Sequence, residues 1–521
     1  MKLLTTFTAA WLLTSGLAMA GTLRWAAQND IQTLDPHSQN HSATSTITGY
    51  AYEGLTRYTE KFEVEPALAT KWTYVTPTQL RFDLRRGVKF HDGTLFTADD
   101  VVFSLQRIKH PASNMVIYAS GIKDVRKIDE FTVDFLLDGP NPVLTRNLTY
   151  VRILSKAWAA KNRSENPQDF KAKEDTYASR NAMGTGPFRI VGWQPDQKIT
   201  LVANKDWWDR PRGNISEVIY LPIKSDATRV AALLSGDLDL LTDLPPQDVA
   251  KLKTDPRLKV IDGPENRTIF FALDLGSDEI RGSSVKGRNP FKDRRVREAM
   301  SLAIDREAIK RSLMRGLSIP AALMVAPVAY GWSADLDRVA KPDVARARQL
   351  LSEAGYADGF DVPLACPNDR YVNDEEICQA VVSMWARIGI KAKLTTHPMT
   401  QHSAAMQRYE LPLYLYGWGV TTFDAQYTLQ DIVHTKTSGA DGKGNYSRVS
   451  DARVDALVQQ MKVETDVPRR LALMQEALKR TRDELLFIPI HHQVRPWAMK
   501  AGVSLPHSAN DAPQAKWATV R

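Results

Sequence analysis

The sequence has little of what characterises several common protein classes. Only two of its 521 residues are cysteine, which excludes a small disulfide-stabilised scaffold. No run of about 18 consecutive apolar residues occurs, so we expect no membrane-spanning helix. Neither sign of charge dominates, because 68 Lys and Arg stand against 60 Asp and Glu, interspersed along the chain. Without a clustered basic patch, no nucleic-acid partner is expected.

Signatures of common enzyme classes are also absent. The motifs HExxH and GxSxG, the P-loop and the dinucleotide fingerprint do not occur. The GTGP stretch at residues 184–187 is interpreted as a turn, because proline removes an amide donor that a phosphate would need. An SxxK pattern at residues 283–286 lies in a loop rich in glycine and charge, without its usual partner motifs. We therefore predict no catalytic residues, no cofactor and no metal site.

The N-terminus has the pattern of a secretory signal. Lys2 precedes a mostly apolar segment, residues 3–13, and the small-residue pattern AMA ends at Ala20. Residue 21 is glycine, so no thiol stands at the predicted cleavage point to carry a lipid anchor. We expect a cleaved signal peptide at residues 1–20 and a freely diffusing periplasmic protein that does not span the membrane.

The first half of the chain mixes antiparallel strands with short helices. Leu80, Phe82 and Leu84 alternate with polar residues, which predicts a half-buried strand. Thr97 followed by Asp100 predicts a capping box at the start of a helix. At roughly 150 residues per domain, the length predicts about three folding units.

The second half contains a βαβ unit. A strand at residues 362–366, a helix at residues 377–388 and a strand at residues 390–394 follow one another closely. Such a unit places its strands in parallel, and ligands of these sheets sit beyond the carboxyl ends of the strands. Residues 367–371 are therefore expected to lie near a ligand.

The two cysteines, Cys366 and Cys378, lack the CxxC spacing of a redox or zinc motif. Both lie on faces predicted to be buried, in a compartment that permits disulfides. Two inert core thiols and one disulfide both fit this pattern.

Several motifs distributed over the chain resemble one family. They are EPALATKW at residues 65–72, LRRGVKFHDG at 84–93, TADDVVFSL at 97–105, GTGPF at 184–188, NKDWW at 204–208, DRRVREA at 293–299 and AIDR at 303–306. Together they resemble the family 5 extracellular solute-binding proteins, the receptors of peptide- and nickel-type ABC importers.

The resemblance implies an α/β fold, a two-lobed periplasmic binding protein of type II with an extra inserted subdomain, called cluster C type. Lobe I would comprise residues 21–47, 181–262 and 486–521, the inserted subdomain residues 48–180, and lobe II residues 263–485. The chain would cross between the lobes near residues 262–264 and again near residues 483–487. Such receptors close over a ligand, and the closed monomer is recognised by the membrane permease of the importer.

For ligand contacts the resemblance indicates the PNDRY stretch at residues 367–371. In peptide-binding members an arginine at the position of Arg370 can hold the peptide carboxylate, with Tyr371 beside it. The alternative is a surface arginine that pairs with Asp369 or Asp374.

The strand ending in YLYGWGVTTFD, residues 414–424, supplies further candidates. Peptide receptors resembling this chain place an aspartate three residues after the tryptophan to hold the ligand's α-amine, but here that position is Thr421. Either Asp424 replaces this anchor or the ligand lacks a free amine. Tyr416 and Trp418 would stack on a ligand ring or pack in the core.

Asn445, in a glycine-rich loop, is a weaker candidate, with a plain turn as the alternative. We expect a receptor for a small, peptide-like solute. The alternatives are a receptor of the same fold for an opine, an oligosaccharide or a metal chelate, and, more distantly, an exported hydrolase.

Overall fold

A computed structural model describes residues 21–439 and 441–521. The predicted signal peptide, residues 1–20, lies outside the described residues. Within the described part of the chain, every helix is too short or too polar to cross a bilayer.

The strands are named here in chain order. They are β1 Gly21–Ala27, β2 Thr56–Tyr58, β3 Val64–Pro66, β4 Ala69–Thr76, β5 Gln79–Leu84, β6 Ile122–Asp129, β7 Thr132–Leu137, β8 Phe188–Gln194, β9 Lys198–Ala203, β10 Ile215–Pro222, β11 Leu240–Leu241, β12 Leu258–Leu273, β13 Ser318–Pro320, β14 Phe360–Pro367, β15 Ile390–His397, β16 Leu413–Gly419, β17 Ile488–Lys500, β18 Val503–Ser504 and β19 Thr519–Val520.

The α-helices are named in the same way. They are α1 Ser42–Ala51, α2 Ala98–Ile108, α3 Leu144–Asn147, α4 Lys156–Lys161, α5 Tyr177–Arg180, α6 Asp226–Ser235, α7 Pro246–Lys253, α8 Arg294–Leu302, α9 Arg306–Ala308, α10 Val344–Glu353, α11 Asp374–Ala386, α12 Met399–Gln407, α13 Ala425–Thr428, α14 Ala452–Val463 and α15 Val467–Asp483.

One large mixed sheet runs through both lobes in the order β15-β14-β16-β12-β17-β11-β1-β10-β9-β8. Its centre is the antiparallel pair β12–β17, in which Val260 faces Ala498 at one end and Phe270 faces Pro489 at the other. The register shifts between Pro264 and Thr268, so residues 265–267 bulge opposite the single residue Gln493. The two lobes are thus joined by two adjacent strands that bend at the same place.

The hydrophobic cores locate the second crossing, that of β17. Trp497 and Met499 pack with the core of lobe I, whereas Ile488 and Ile490 pack with a core of lobe II. The last segment therefore crosses between the lobes later than the predicted residues 483–487, opposite the bulge in β12. The run LLFIPI is apolar throughout, and its pattern alone does not indicate which lobe buries it.

The inserted subdomain contains a four-stranded antiparallel sheet in the order β4-β5-β7-β6, covered by α2. Leu80, Phe82 and Leu84 are buried on one face of β5, which confirms the predicted alternation. Thr97 and Asp100 form the predicted capping box of α2. At the other end of the segment, α1 spans the boundary predicted at residue 47, and Tyr50 packs in the core of lobe I.

The predicted βαβ unit is present in lobe II. Strands β14 and β15 are parallel, from Phe360 opposite Ile390 to Pro367 opposite His397, and α11 connects them. The side chains of α11 that face the sheet, including Val381 and Trp385, are fully buried. The carboxyl end of β14 opens into the loop that carries Arg370.

Cys366 and Cys378 form a disulfide, with their Cα atoms 6.7 Å apart. Cys366 lies near the end of β14 and Cys378 in the second turn of α11, both fully buried in the same core. The bond resolves the alternative that the spacing left open. It also closes the loop at residues 367–373 at its base, next to the cavity described below.

Replacing both cysteines by alanine is expected to destabilise lobe II by about 3 kcal/mol, because a closed loop of this length restricts the unfolded chain by about that amount. Thermal unfolding under oxidising conditions measures the change. Amide hydrogen exchange should increase in residues 367–373, with helix α10 as an internal control. Equal exchange in variant and parent would show that the disulfide does not hold this loop.

Candidate functional site

A cavity of about 430 Å³ lies where β12 and β17 bend. Its walls come from lobe I (Trp25, Arg495 and Lys516), the inserted subdomain (Arg152) and lobe II (Arg370, Tyr416 and Trp418). Small-molecule sites in proteins have volumes of about 300 to 1,000 Å³. The cavity therefore has the size and the two-lobed lining of a solute site.

The bulge in β12 forms part of the cavity wall. Arg267 donates to Glu265 at 3.0 Å and to the carbonyl oxygen of Gly417 at 3.3 Å. The Gln493 side chain also donates to Glu265 from the opposite strand. Asn266 exchanges hydrogen bonds with Val420 at the end of β16, which ties the bulge to lobe II. The bend thus carries polar side chains that are already paired with one another.

Arg370 and Tyr371 line the cavity just beyond the end of β14. The carboxylate of Asp374 accepts from the backbone amides of both residues, at 3.1 and 2.9 Å, and fixes the loop. The Tyr371 hydroxyl donates to the carbonyl oxygen of Gly417 at 3.2 Å. The loop is therefore held on both sides, with Arg370 between these anchors.

The guanidinium of Arg370 forms no ion pair with a carboxylate within the described part of the chain. Asp374 binds its backbone rather than its side chain, and Asp369 instead accepts from the amide of Met399 at 2.7 Å. The guanidinium lies 5.5 Å from the centre of the Tyr371 ring. Burial lowers the pKa of Arg370, and the positive charge of Arg267 nearby lowers it further. The arrangement differs from the surface ion pair that was the alternative for Arg370.

Aromatic rings from lobe II form one wall of the cavity. Trp418 stacks on Tyr427 with ring centres 5.3 Å apart and planes 18° apart. Tyr416 also lines the cavity, but its ring packs edge-on against the buried Phe270 at 5.8 Å. The Trp418 indole N–H is buried and has no hydrogen-bond partner among the described residues. Both aromatic candidates thus lie at the cavity, and Tyr416 serves the core as well.

Thr421 lines the cavity and also contacts the inserted subdomain. Its hydroxyl accepts a hydrogen bond from the Tyr118 hydroxyl at 3.2 Å. Next to it, the Tyr58 hydroxyl donates to the carbonyl oxygen of Thr422 at 2.9 Å. The Phe62 and Phe423 rings stack with centres 3.8 Å apart. We call Tyr58, Phe62 and Phe423 the aromatic contact; it joins the inserted subdomain to lobe II at the edge of the cavity.

Asp424 does not lie at the cavity, so it cannot replace the amine anchor absent at Thr421. Its carboxylate is 1% exposed and accepts two hydrogen bonds from Arg470, each of 2.8 Å. One oxygen also caps α13 by accepting from the amide of Gln426 at 3.0 Å. Both oxygens are engaged in these buried contacts, and the structure removes Asp424 from the candidate site.

Asn445 is also placed outside the cavity. Its side-chain amide donates to the carbonyl oxygens of His434 and Val449 and accepts from the Val449 amide. It is 1% exposed and stabilises a turn, in agreement with the plain alternative. The structure thus brings together Arg370, Tyr371, Tyr416, Trp418 and Thr421, and separates Asp424 and Asn445 from them. Ligand contact by the five remains a prediction.

Sequence reasoning missed the cavity residues that come from the other side of the cleft. Arg152 follows the short helix α3 in the inserted subdomain, and Lys516 and Arg495 come from the C-terminal segment. Each is a single basic residue in an ordinary local context. No periodicity or spacing marked them, because only the packing of distant segments brings them to one cavity.

The family is established by comparison with known proteins. The model of the bacterial extracellular solute-binding proteins, family 5 middle, matches residues 63–440. The chain belongs to this family. The family resemblance predicted from the sequence motifs is thereby confirmed, and the family is one of receptors rather than enzymes, as expected.

Among its relatives, heme-binding protein A of Haemophilus influenzae is 27% identical over 460 residues, covering 83% of this chain and 79% of that protein. The dipeptide-binding protein of Escherichia coli strain K12 is 26% identical over 457 residues, covering 82% of this chain and 81% of that protein. The family 5 match is thus accompanied by similarity along most of the chain.

Solved structures confirm the type II periplasmic binding protein fold. The periplasmic binding protein DppA from Helicobacter pylori, in complex with the peptide STSA, gives a TM-score of 0.82 at 23% identity, covering 96% of this chain and 98% of that one. The binding protein AgaA of A. tumefaciens R10, in complex with agropinic acid, gives 0.80 at 24% identity, covering 96% and 99%.

The role of Asp424 can be tested by its replacement. Asp424→Ala leaves the buried Arg470 guanidinium unpaired, which is expected to cost about 3 to 5 kcal/mol of the free energy of unfolding. Chemical denaturation measures this cost. The matched control is Asp335→Ala, which breaks an exposed pair with Arg338 and should change stability by less than about 1 kcal/mol. Equal stability of the two variants would contradict a structural role for Asp424.

Proposed function

We propose that this chain is a periplasmic receptor that captures a small, peptide-like solute and delivers it to the membrane permease of an ABC importer. It acts as a monomer, exported by the signal peptide at residues 1–20 and without a lipid anchor. The observation that carries the proposal is Arg370, a half-buried guanidinium that lines a cavity between two lobes and has no ion pair among the described residues. A solute carboxylate matches its planar fork of donors.

Closure of the lobes provides the mechanism of capture. A solute that contacts both lobes stabilises the closed form by the difference between its affinities for the two forms. The bend in β12 and β17 is the place where two adjacent strands absorb the hinge motion. The aromatic contact closes the cleft at the side of the inserted subdomain. The solute leaves chemically unchanged.

Two observations support a peptide-like solute, and a third favours an opine as a second candidate. Relatives include dipeptide- and glutathione-binding proteins, and Arg370 fits a terminal carboxylate. However, Thr421 supplies no negative charge for a free α-amine, and Asp424 is bound to Arg470. An opine, which is a carboxylate-rich conjugate of an amino acid, satisfies Arg370 without a free-amine anchor.

Recovery of the natural solute tests the proposal. Protein purified under native conditions is denatured, and the released small molecules are identified by mass spectrometry. We expect a solute that raises the melting temperature when it is returned to the refolded protein and is recovered unaltered afterwards. Conversion of this solute by the purified protein would contradict a receptor.

Arg370→Ala is expected to weaken binding of the recovered solute by about 2 kcal/mol or more, because the solute carboxylate would lose a buried charged partner. Isothermal titration calorimetry gives the dissociation constants. Arg387→Ala is the control, since Arg387 is exposed on lobe II and away from the cavity. Unchanged affinity of the Arg370 variant would exclude this arginine from the site.

The aromatic contact predicts a second effect on closure. Phe62→Ala removes the ring that stacks on Phe423, and aromatic pairs contribute about 0.5 to 1.5 kcal/mol. The variant should therefore bind the solute several-fold more weakly and show a larger radius of gyration in small-angle scattering with solute present. Phe170→Ala, an exposed phenylalanine of the same subdomain, is the control. A variant that closes as fully as the parent would show that the aromatic contact does not stabilise closure.

A further inference from the structure

The acidic side chains that line the cavity are paired or hydrogen-bonded, whereas two of its arginines have no acidic partner among the described residues. This difference indicates the charge of the solute. We infer that the solute is an anion with two separate acidic groups and no required free amine, with one group bound at Arg370 of lobe II and the other at Arg152 of the inserted subdomain. The inference rests on the proposed receptor function and specifies its ligand class.

Arg152 resembles Arg370 in its surroundings but lies on a different body of the protein. It lines the cavity, and its guanidinium packs closely on Gly49 of α1, where no side chain intervenes. Its polar contacts are a long hydrogen bond of 3.5 Å to the carbonyl oxygen of Tyr52 and a position 5.9 Å from the Tyr150 ring centre. It forms no ion pair with a carboxylate of the described residues, and burial lowers its pKa. Arg152 is therefore a second half-buried cation without an ionic partner among the described residues.

The carboxylates that line the cavity are, in contrast, all engaged. Glu265 pairs with Arg267, Asp243 and Asp511 both pair with Arg495, and Glu60 pairs with Arg212. Glu53 accepts from three donors.

The three donors to Glu53 are the indole N–H groups of Trp207 and Trp208, at 3.2 and 2.8 Å, and the Thr185 hydroxyl at 2.9 Å. A ligand ammonium would have to displace an existing partner of one of these acids, whereas a ligand carboxylate displaces none at Arg152 or Arg370. The charged side chains of the cavity that have no ionic partner among the described residues are therefore positive.

Lys516 adds to the positive character of the cavity and has no ion pair within the part of the chain that the structure describes. Its ammonium lies 5.7 Å from the Trp207 ring centre and 5.3 Å from that of Trp517. Burial lowers its pKa to about 8. A bound anion would offset the cost of keeping these three half-buried cations close to one cavity.

The two arginines lie on different parts of the protein, which closure of the cleft brings together. Arg370 moves with lobe II, whereas Arg152 belongs to the inserted subdomain that the aromatic contact brings against it. A solute with an acidic group for each arginine contacts lobe II and the inserted subdomain at once, so it favours the closed form. A solute with one acidic group leaves the other cation uncompensated.

The chemical class is therefore a small diacid with acidic groups at separate positions, such as an opine, an acylated acidic peptide or a glutathione-like compound. Four probes with one common core separate the possibilities. They are N-succinyl-dialanine with two carboxylates and no amine, N-acetyl-dialanine with one carboxylate and no amine, dialanine as the zwitterion, and dialanine amide as the cation.

Calorimetry and thermal shift measurements on the full mature protein test the inference. We expect N-succinyl-dialanine to bind at least about tenfold more tightly than N-acetyl-dialanine, because charged hydrogen bonds contribute that much. Arg152→Gln should abolish this ratio, Arg152→Lys should retain part of it, and Arg370→Gln should weaken both probes. Arg387→Gln should change nothing. Circular dichroism and melting temperature establish that each variant is folded.

The outcomes separate the inference from the receptor function. Tightest binding of dialanine or its amide, or a ratio that Arg152→Gln leaves unchanged in a folded variant, would overturn the diacid while leaving a receptor. If no probe binds, the solute recovered from native protein decides: two acidic groups support the inference, and fewer overturn it. Recovery of no solute, together with no stabilisation by any probe, would overturn the proposed receptor and the inference with it.

Discussion

The continuous pairing of β12 with β17 is the constraint on which the rest of the structure depends. Because both crossings run as neighbouring strands of one sheet, the two lobes share backbone hydrogen bonds on either side of the bend. Residues 265–267 stand opposite the single residue Gln493, and a second register shift follows between Ile269 and Phe270. The ladder is therefore irregular over this short stretch, and residues 265–267 place polar side chains of β12 at the cavity. The same part of the sheet thus carries the crossing between the lobes and part of the cavity wall.

Burial of charge determines how the cleft is organised. Buried ions are tolerated when they are paired, and the Asp424–Arg470 pair, like Glu265 with Arg267, follows this rule. Arg370 and Arg152 are half-buried and have no acidic partner among the described residues, although the disulfide and the Asp374 contacts hold the loop of Arg370 in place. Partial burial makes such a cation less favourable in the empty protein, in line with the lowered pKa of both arginines. Such a cost persists where a ligand repays it, which is the physical reason to relate these arginines to binding.

Much of the fold was accessible from the sequence, because its signals are local. The alternation in β5, the capping box at Thr97 and the βαβ unit each depend on residues close together in the chain. For the same reason, only half of the candidate site could be predicted from the sequence. Arg370 follows a predicted strand end, whereas Arg152 and Lys516 reach the cavity through packing between segments more than a hundred residues apart. Asp424 misled the sequence analysis because its partner Arg470 lies 46 residues away, on α15.

Thr421 stands where peptide receptors resembling this chain carry an aspartate, and this difference affects several properties together. Its hydroxyl accepts from Tyr118, so it links lobe II to the inserted subdomain directly beside the stacked Phe62 and Phe423 rings. An aspartate at this position would add a negative charge to a cavity whose other carboxylates are already paired or hydrogen-bonded, and would offer a solute ammonium its ionic anchor. Threonine keeps the polar contact with Tyr118 and adds no charge to the cavity. Among the described residues, the contacts across this edge of the cleft are thus neutral, and the cavity charges without an ionic partner are positive.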